Sequence, residues 1–372
     1  MAKHSLIGRL KRAWYVSHKR KAGNAVTHAG FTLLELLVVT VISGGIIAGL
    51  TYMVVELLGA DQRESSRAET QREMQMSLDY ISSELQEAVY VYPGACLQGN
   101  GAAGGTACHG LFNYIPDSIS TGGSVPVLAF WKQQPYPRSI KEGVCRTSPY
   151  TATVSGQAVS CISGNSYALV IYSLSNANAS GLWKGRARIT RYALTEFQQN
   201  GTRTKGYVNP GSFSNNFDTW PYGPDPSGST VVNLQTLAAI PGRPDGAAQV
   251  LVDFVDDGSG ATALGIPNAA DNLLCPDDAS TVDNPATTTE DESIDYVVSP
   301  PAALQTAVFG ARPRGFYACV STGSNTGENR EVVLFVRGNA YGRGGIVSDK
   351  GFLPTLETRV LSRAVLDRSP SL

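Results

Sequence analysis

Histidine is scarce in this chain, and its placement excludes several kinds of catalytic site. The 372 residues include four histidines, three of which precede residue 30: His4, His18 and His28. A zinc site with several histidines is therefore excluded from the rest of the chain, where a histidine triad could use only His109. His109 stands between Cys108 and Gly110 in a glycine-rich stretch, and we interpret it as a loop residue.

Sequence motifs of catalysis are also missing. There is no G-x-S-x-G nucleophile motif, and no pair of carboxylates on a predicted helix or strand suits glycoside hydrolysis. The stretch Gly338 to Gly345 (GNAYGRGG) lacks the Lys-Ser or Lys-Thr of a phosphate-binding loop, so we predict a turn there. We expect a protein that is not an enzyme, with no catalytic residue and no cofactor.

Positive charge is absent from a long segment near the N-terminus. No Lys or Arg lies between Lys21 and Arg63, and the twenty residues from Leu36 to Val55 carry no formal charge. At ~1.5 Å per residue, a helix of this length spans the ~30 Å hydrocarbon core of a bilayer. Residues 1–30 hold seven basic residues and no acid, so the positive-inside rule keeps them in the cytoplasm and exports the chain after Gly59.

Glu35 lies at the start of this apolar run and has no cation nearby in the sequence. A carboxylate at the centre of a bilayer costs at least ~2.5 to 3.5 kcal/mol, so an acid within a membrane segment needs a partner. Cleavage between Gly30 and Phe31 would create an α-amino group four residues before Glu35, which is ~6 Å along a helix axis. Processing at this bond would supply the missing cation.

Residues 30–36, with the sequence GFTLLEL, resemble the class III signal of type IV pilins and type II secretion pseudopilins. The basic leader and the apolar run that flank the motif are typical of the same signal. The resemblance implies that a prepilin peptidase cleaves after Gly30 and methylates the new N-terminus at Phe31. It also implies that Glu35 pairs with the amino terminus of a neighbouring subunit during assembly.

Two other kinds of targeting segment are alternatives. A secretory signal peptide is cut after an apolar run of ~7 to 15 residues at an A-x-A-like site. Only residues 58–60 could form such a cleavage site, and Leu58 is bulky at a position that needs a small residue. An uncleaved signal anchor leaves Glu35 without a cation. The N-terminus of the mature protein separates the three, since they predict starts at Phe31, Asp61 and Met1.

The six cysteines all follow the apolar run, and none forms a C-x-x-C pair. An even number of cysteines in an exported segment predicts disulfides and not metal or redox chemistry. The sequence leaves the connectivity open, and pairing between nearest neighbours is our prediction. The predicted pairs are Cys96 with Cys108, Cys145 with Cys161, and Cys275 with Cys319.

The helix is predicted to continue beyond the apolar run. Residues 61–88 contain no Pro or Gly, and apolar residues form one stripe at helical spacing. The stripe consists of Met74, Leu78, Ile81, Leu85 and Val89. Tyr92-Pro93-Gly94 is expected to end the helix. The predicted divisions are a leader of residues 1–30, which is removed, a helix of residues 31–92 and an exported β-rich domain of residues 93–372.

Short runs of β-branched and aromatic residues follow the helix, separated by Gly, Ser, Asn and Pro. The predicted strands are Val125 to Trp131, Tyr167 to Ser173, Arg186 to Leu194, Gln249 to Val255, Ile294 to Val298, Phe316 to Val320, Glu331 to Arg337 and Thr358 to Leu366. The predicted fold class is α+β, in which a long N-terminal helix packs on an antiparallel β-sheet with long loops. This arrangement is similar to that of pilins.

The end of the helix (LDYISSELQEAVYVYPG), the chain length and the closing strands (VVLFVRGNAYG and LETRVLSRAVL) resemble PilW-like minor pilins. The resemblance implies a structural subunit for type IV pilus assembly or initiation. It would cross the inner membrane once, with its C-terminal domain in the periplasm, and then enter the pilus at the cell surface. Its implied partners are prepilin peptidase and other minor and major pilins. Alternatives are a type II secretion pseudopilin, and a pilus-tip adhesin or DNA-uptake subunit that binds a ligand.

The exported part of the chain is acidic. Without the seven basic leader residues it holds 23 basic and 31 acidic residues, which argues against general nucleic-acid binding. Asp253, Asp256 and Asp257 begin the densest acidic region and are a weak candidate site for Ca²⁺, although their spacing does not match an EF-hand. A solvated acidic loop is the alternative interpretation.

One basic row is the remaining candidate for ligand binding. In an extended strand Lys184, Arg186 and Arg188 share a face, next to Trp183. Basic and aromatic side chains together can bind single-stranded DNA or a glycan. We favour the interpretation that this row is the solvent-exposed face of a sheet.

Overall fold

A computed structural model describes residues 30–99, 109–212, 217–225, 227–258, 275, 296–309, 315–321, 331–348 and 352–362. The chain divides into two units, Met1–Leu58 and Gly59–Leu372, and the boundary falls within the first helix. The helices are α1 (Leu33–Gln86), α2 (Gly94–Gln98), α3 (Asp117–Ser120), α4 (Cys145–Thr147) and α5 (Ala302–Phe309), with a π-helical turn at Ser139–Val144 and 3₁₀ turns at Pro210–Ser212 and Leu234–Thr236.

The strands are β1 (Ala88–Val91), β2 (Ser124–Pro135), β3 (Thr151–Val154), β4 (Gln157–Ser160), β5 (Asn165–Ser175), β6 (Ala187–Leu194), β7 (Tyr222–Pro224), β8 (Val231–Asn233), β9 (Gln249–Val255), β10 (Tyr296–Ser299), β11 (Phe316–Ser321), β12 (Glu331–Arg337) and β13 (Thr355–Leu361). They form a five-stranded sheet in the order β1-β2-β5-β6-β9 and a four-stranded sheet in the order β10-β11-β12-β13. Two hairpins, β3-β4 and β7-β8, complete the set. Each pairing is antiparallel, so the predicted α+β class is confirmed.

The first unit contains the N-terminal part of α1, and its described residues are exposed. Every residue from Gly30 to Leu58 is exposed. By length and composition α1 is able to cross a membrane, and among the described residues it is the one helix that can. A continuous apolar surface of this kind needs lipid or other helices around it.

The second unit is built on the remaining part of α1. Met74, Leu78, Ile81 and Leu85, which belong to the predicted stripe, are buried with residues of both larger sheets in one core. Aromatic side chains such as Trp131 form a second core, which includes loop residues and covers the opposite face of the five-stranded sheet. Burial on both faces explains why β2 and β5 are almost continuously apolar.

The prediction that the helix continues to residue 92 is wrong at its end. Helix α1 stops at Gln86, and β1 begins at Ala88 and pairs with β2. Val91 is paired with Phe130, and the Tyr92 N–H donates to the Ala129 carbonyl over 2.9 Å. The β-branched and aromatic residues of this segment favour a strand once a sheet edge is present, so tertiary pairing overrides the helical spacing of Val89.

Candidate functional site

The sequence motif GFTLLE lies at the point where α1 begins. Gly30 and Phe31 precede the helix, and the Phe31 side chain is 79% exposed. The Glu35 N–H donates to the Thr32 hydroxyl oxygen over 3.2 Å, and the Leu36 N–H donates to the Thr32 carbonyl over 3.2 Å. Thr32 is therefore the N-cap of α1. The bond between Gly30 and Phe31 lies in exposed, non-helical chain, as access by a peptidase requires.

Glu35 occupies the first turn of α1, three residues after the cap. Thr-x-x-Glu is the spacing of a capping box, in which the acid favours the helix N-terminus. A carboxylate there also interacts favourably with the positive end of the helix dipole, by ~0.3 to 1 kcal/mol near an exposed surface. Glu35 is therefore expected to stabilise the N-terminus of α1, in addition to any role in assembly.

Two threonine hydroxyls within the apolar run are satisfied inside the helix. The Thr40 hydroxyl donates to the Leu37 carbonyl and the Thr51 hydroxyl to the Ile47 carbonyl, each over 2.8 Å. Such bonds remove the need for water around a threonine in an apolar environment. A Cβ added at Gly45 or Gly49 would meet nothing within 4 Å, so the chain itself leaves this small-residue surface open.

The stretch GNAYGRGG does form turns, and within the second unit it also contacts α1 at residues 62–66. The Ser66 hydroxyl donates to the Gly344 carbonyl over 2.8 Å. A Cβ at Gly344 would lie 2.5 Å from the Gln62 side chain, and one at Gly345 would lie 2.8 Å from Arg63. Gly345 also has a φ of 76°, which disfavours other residues. Glycine is therefore needed at Gly345, whereas at Gly344 the flexible Gln62 side chain could move aside.

Arg343 of the same loop carries the charged part of this contact. Its guanidinium lies 2.6 Å from the Glu69 carboxylate, also pairs with Glu73, and lies 4.0 Å from the centre of the Phe254 ring. The Arg343 side chain is only 8% exposed. This role was not predicted, because Arg343 and the two acids of α1 lie about 270 residues apart in the sequence.

A second charged contact lies near the C-terminal end of α1. The Glu84 carboxylate accepts hydrogen bonds from Arg191 of β6 over 2.7 and 2.8 Å and from Lys132 of β2 over 2.8 Å. The Tyr172 hydroxyl of β5 donates to the same carboxylate. One acid on the helix thereby contacts three neighbouring strands, so it fixes the helix on the five-stranded sheet.

The disulfides agree with the predicted pairing wherever the structure describes both cysteines. Cys145 is bonded to Cys161, and Cys275 to Cys319. The third predicted pair, Cys96 with Cys108, involves Cys108, which lies outside the described residues. Disulfides in this part of the chain indicate an oxidising compartment outside the cytoplasm.

The acids of the weak Ca²⁺ candidate have arginine partners. Asp256 and Arg337 form an ion pair in which both side chains are 2% exposed, and the Asn339 amide donates to Asp256 over 3.1 Å. Asp257 lies 3.9 Å from Arg186. Asp253 accepts the backbone N–H groups of residues 184 and 185 over 3.1 and 3.0 Å. Within the described ranges, no group of three or more His, Cys, Asp or Glu residues is placed to hold a metal ion.

The interpretation of the basic row as a solvent-exposed face is wrong for Arg188. Arg188 is 1% exposed, lies 3.6 Å from Asp253 and donates to the Ala177 carbonyl. Arg186 is half-buried and lies 4.9 Å from the centre of the Tyr341 ring. Only Lys184 of the three is fully exposed, so the row does not form a continuous basic surface. His109 does lie in a loop, but it is buried, with its ring 4.3 Å from that of Tyr222.

Comparison with protein-family models, with curated proteins and with solved structures gives no match.

Proposed function

We propose that this protein is a subunit of a type IV pilus-type filament, specifically a PilW-like minor pilin that takes part in pilus assembly or initiation and is not an enzyme. One observation carries the proposal. Every side chain from Gly30 to Leu58 is exposed, on a helix whose cap lies within the GFTLLE motif. A helix that is apolar all round and exposed along this length is suited to exchange one apolar environment for another.

The proposed mechanism is helix packing. Before assembly, the segment Leu36 to Val55 lies in the inner membrane, and the second unit lies in the periplasm, where its disulfides are stable. During assembly, the apolar helix leaves the lipid and packs against helices of other minor and major pilins. Each aliphatic side chain that stays out of water contributes ~1.5 to 3 kcal/mol, so the filament must bury nearly all of them.

Glu35 sets the axial position of the helix in this proposal. After cleavage by prepilin peptidase, the amino group of Phe31 in a neighbouring subunit becomes its partner. An unpaired carboxylate in an apolar filament core is strongly unfavourable, so only the axial position that joins the two charges is stable.

Mass spectrometry of the N-terminal peptide tests the processing step. The full chain is produced with a prepilin peptidase, and the expected mature peptide begins at Phe31 and carries one methyl group. A Gly30→Val variant is the matched control and should retain its leader. A mature protein that begins at Met1 or Asp61 would overturn the proposal.

Affinity purification tests the assembly step. Other minor pilins should be recovered with the mature wild-type protein, and they should be lost with the uncleaved Gly30→Val variant. Recovery of the same partners with both forms would show that processing does not control assembly.

A further inference from the structure

Strand β13 forms one long and regular edge of the four-stranded sheet. All of its residues pair with β12, from Thr355 opposite Arg337 to Leu361 opposite Glu331, with no shift of register. β13 is the last strand of its sheet, and within the described part of the chain no strand pairs with its other edge. Seven residues in regular extended form are enough to accept another strand.

The other three edges of the two larger sheets are short or irregular. β1 and β10 have four residues each, and β1 contains a bulge. β9 has two register shifts against β6, and its end is closed by a bridge between Val255 and Gly338. Short edges and bulges are the features by which proteins prevent unwanted strand pairing. β13 has neither feature, so its edge is able to pair with an additional strand.

The first hydrogen bonds between β12 and β13 show which backbone groups of β13 point toward β12 and which point away from it. The Gly338 N–H donates to the Pro354 carbonyl over 2.9 Å, and the Ala340 N–H donates to the Phe352 carbonyl over 3.3 Å. Antiparallel ladders alternate, so the even-numbered residues of β13 bond toward β12. The N–H and C=O groups of the odd-numbered residues, 355 to 361, therefore point toward the open edge.

The side chains of β13 also alternate. Leu356 and Val360 face the core beneath α1. Glu357 and Arg359 lie on the opposite face, where their side chains are 47% and 57% exposed. At its outer edge, β13 thus has two apolar residues on one face of the sheet and two opposite charges on the other.

We propose that the open edge of β13 binds an extended segment of a different subunit, which adds to the sheet as an antiparallel fifth strand. The segment would carry aliphatic residues opposite Leu356 and Val360, a basic residue opposite Glu357 and an acidic residue opposite Arg359. Cross-strand pairs of these types are favourable, whereas like charges directly opposite one another are not. The charge pattern thus defines the chemistry of the partner and its direction.

A second copy of this chain is excluded as the occupant by the position of α1. The sequence TLETRVL is complementary to itself about Thr358, since antiparallel pairing sets Glu357 against Arg359 and Leu356 against Val360. The twofold axis of such a pair is perpendicular to the sheet, so it would reverse the segment Gly59–Gln86 of α1 between the copies. In the proposed filament the Gly59–Gln86 segments of neighbouring subunits run in one direction, so a pair in which they are reversed does not fit. This step rests on the proposed membrane-anchored function.

Because of this self-complementarity, a labelled peptide with the sequence of residues 353–363 (LPTLETRVLSR) is a suitable probe. Fluorescence anisotropy measures binding of the peptide to the full-length protein. Each lipid nanodisc holds one copy of the protein, so that a second copy in the same nanodisc cannot occupy the edge. N-methylation of the peptide at Glu357 and Arg359 removes N–H groups that face β13 and should abolish binding. N-methylation at Leu356 and Val360 alters N–H groups that face away and should leave binding within about twofold. Equal effects of the two modifications would overturn the proposal.

A charge exchange tests the proposed register. A protein with both Glu357→Arg and Arg359→Glu should bind the wild-type peptide about tenfold more weakly, and a peptide with the same exchange should restore binding. Unchanged binding in either case would contradict the proposed pairing. Dimerisation of the free chains in detergent is a further test. If wild-type chains form dimers, and a wild-type chain no longer pairs with the charge-exchanged chain, then a second copy is the occupant and our choice is overturned. N-terminal processing at Phe31 is independent of these measurements, so the two proposals can fail separately.

Discussion

Glu84 of α1 and Arg191 of β6 form a two-bond ion pair, with Nε to Oε2 at 2.7 Å and Nη2 to Oε1 at 2.8 Å. Lys132 and Tyr172 bond to the same carboxylate, which leaves the Glu84 residue 8% exposed. Each of the two carboxylate oxygens therefore accepts two hydrogen bonds. The pair lies far outside the apolar run and belongs wholly to the second unit.

Replacement of Glu84 by Gln should destabilise the second unit by roughly 3 kcal/mol, because Arg191 and Lys132 would keep their charges without a buried anion. Urea unfolding of the full chain in detergent, followed by tryptophan fluorescence, measures the change. Glu87→Gln is the matched control. The Glu87 side chain is 63% exposed, and its ion pair is with Lys132, at 3.0 Å. Its expected cost is below ~1 kcal/mol. Equal costs for the two variants would contradict the importance of the Arg191 pair.

The same cluster predicts how stability changes with pH. Burial raises the pKa of Glu84, but the hydrogen bonds from Arg191, Lys132 and Tyr172 outweigh it and lower the pKa from 4.5 to about 2. Because the folded-state pKa is depressed, the stabilisation is complete above about pH 5 and is lost as the pH falls toward 2. The difference in unfolding free energy between wild type and Glu84→Gln should therefore shrink over this window. A difference that is the same at pH 6 and pH 2.5 would argue against this linkage.

Much of the fold was predictable from the sequence because the main strands are long and buried. Eight strands were predicted, and each corresponds to a strand of the two larger sheets, with Gln249–Val255 and Glu331–Arg337 matching at both ends. The hairpin strands β3, β4, β7 and β8 were missed because each has only three or four residues and little burial. β1 was missed because its apolar residues continue the helical spacing of α1 and become a strand only through pairing with β2.

The candidate site was predictable where it depends on local sequence and unpredictable where it depends on distant contacts. The helix was predicted to begin at Phe31 and begins at Leu33, after the Thr32 cap that the motif contains. The contacts of Glu84 with Lys132 and Arg191 join residues that lie far apart in the sequence, and no local pattern marks them. The contact of Arg343 with Glu69 is of the same kind.

Gly315→Ala should destabilise the second unit by about 3 kcal/mol. A Cβ at Gly315 would lie 1.7 Å from the Asp256 carbonyl oxygen, and a backbone atom cannot move aside as a side-chain tip can. The displacement would also disturb the buried pair of Asp256 with Arg337. Thermal unfolding measures the effect. Gly143→Ala is the control, because a Cβ there meets nothing within 4 Å, and it should change stability by less than about 1 kcal/mol.

The two described disulfides should differ in their contribution to stability. In the chain-entropy model, a crosslink stabilises by restricting the unfolded state, and the effect grows with the length of the closed loop. Cys275 and Cys319 are separated by 44 residues and Cys145 and Cys161 by 16, which corresponds to about 4 and about 3 kcal/mol. Paired Cys→Ala variants, compared by urea unfolding without reductant, test this order. A larger loss for the shorter loop would show that native contacts outweigh the entropy of the unfolded chain.

Glu35 requires variants that separate its charge from its position in the capping box. Gln is accepted at the third position of a capping box, so Glu35→Gln should preserve the start of α1 while it removes the carboxylate. If the charge sets the axial position in a filament, Glu35→Gln should reduce assembly with partner pilins at least tenfold, as strongly as Glu35→Ala does.

Thr32→Ala supplies the opposite control. It removes the hydroxyl that accepts the Glu35 N–H and should weaken the first turn by ~1 kcal/mol, but it keeps the charge. Assembly, measured by recovery of partner pilins with the mature protein, should therefore survive Thr32→Ala and fail in both Glu35 variants. If Glu35→Gln instead assembles as well as wild type while Thr32→Ala fails, then the helix start and not the carboxylate is what assembly requires. Mass spectrometry of each mature N-terminus must show cleavage before Phe31, because an uncleaved leader would block assembly for a different reason.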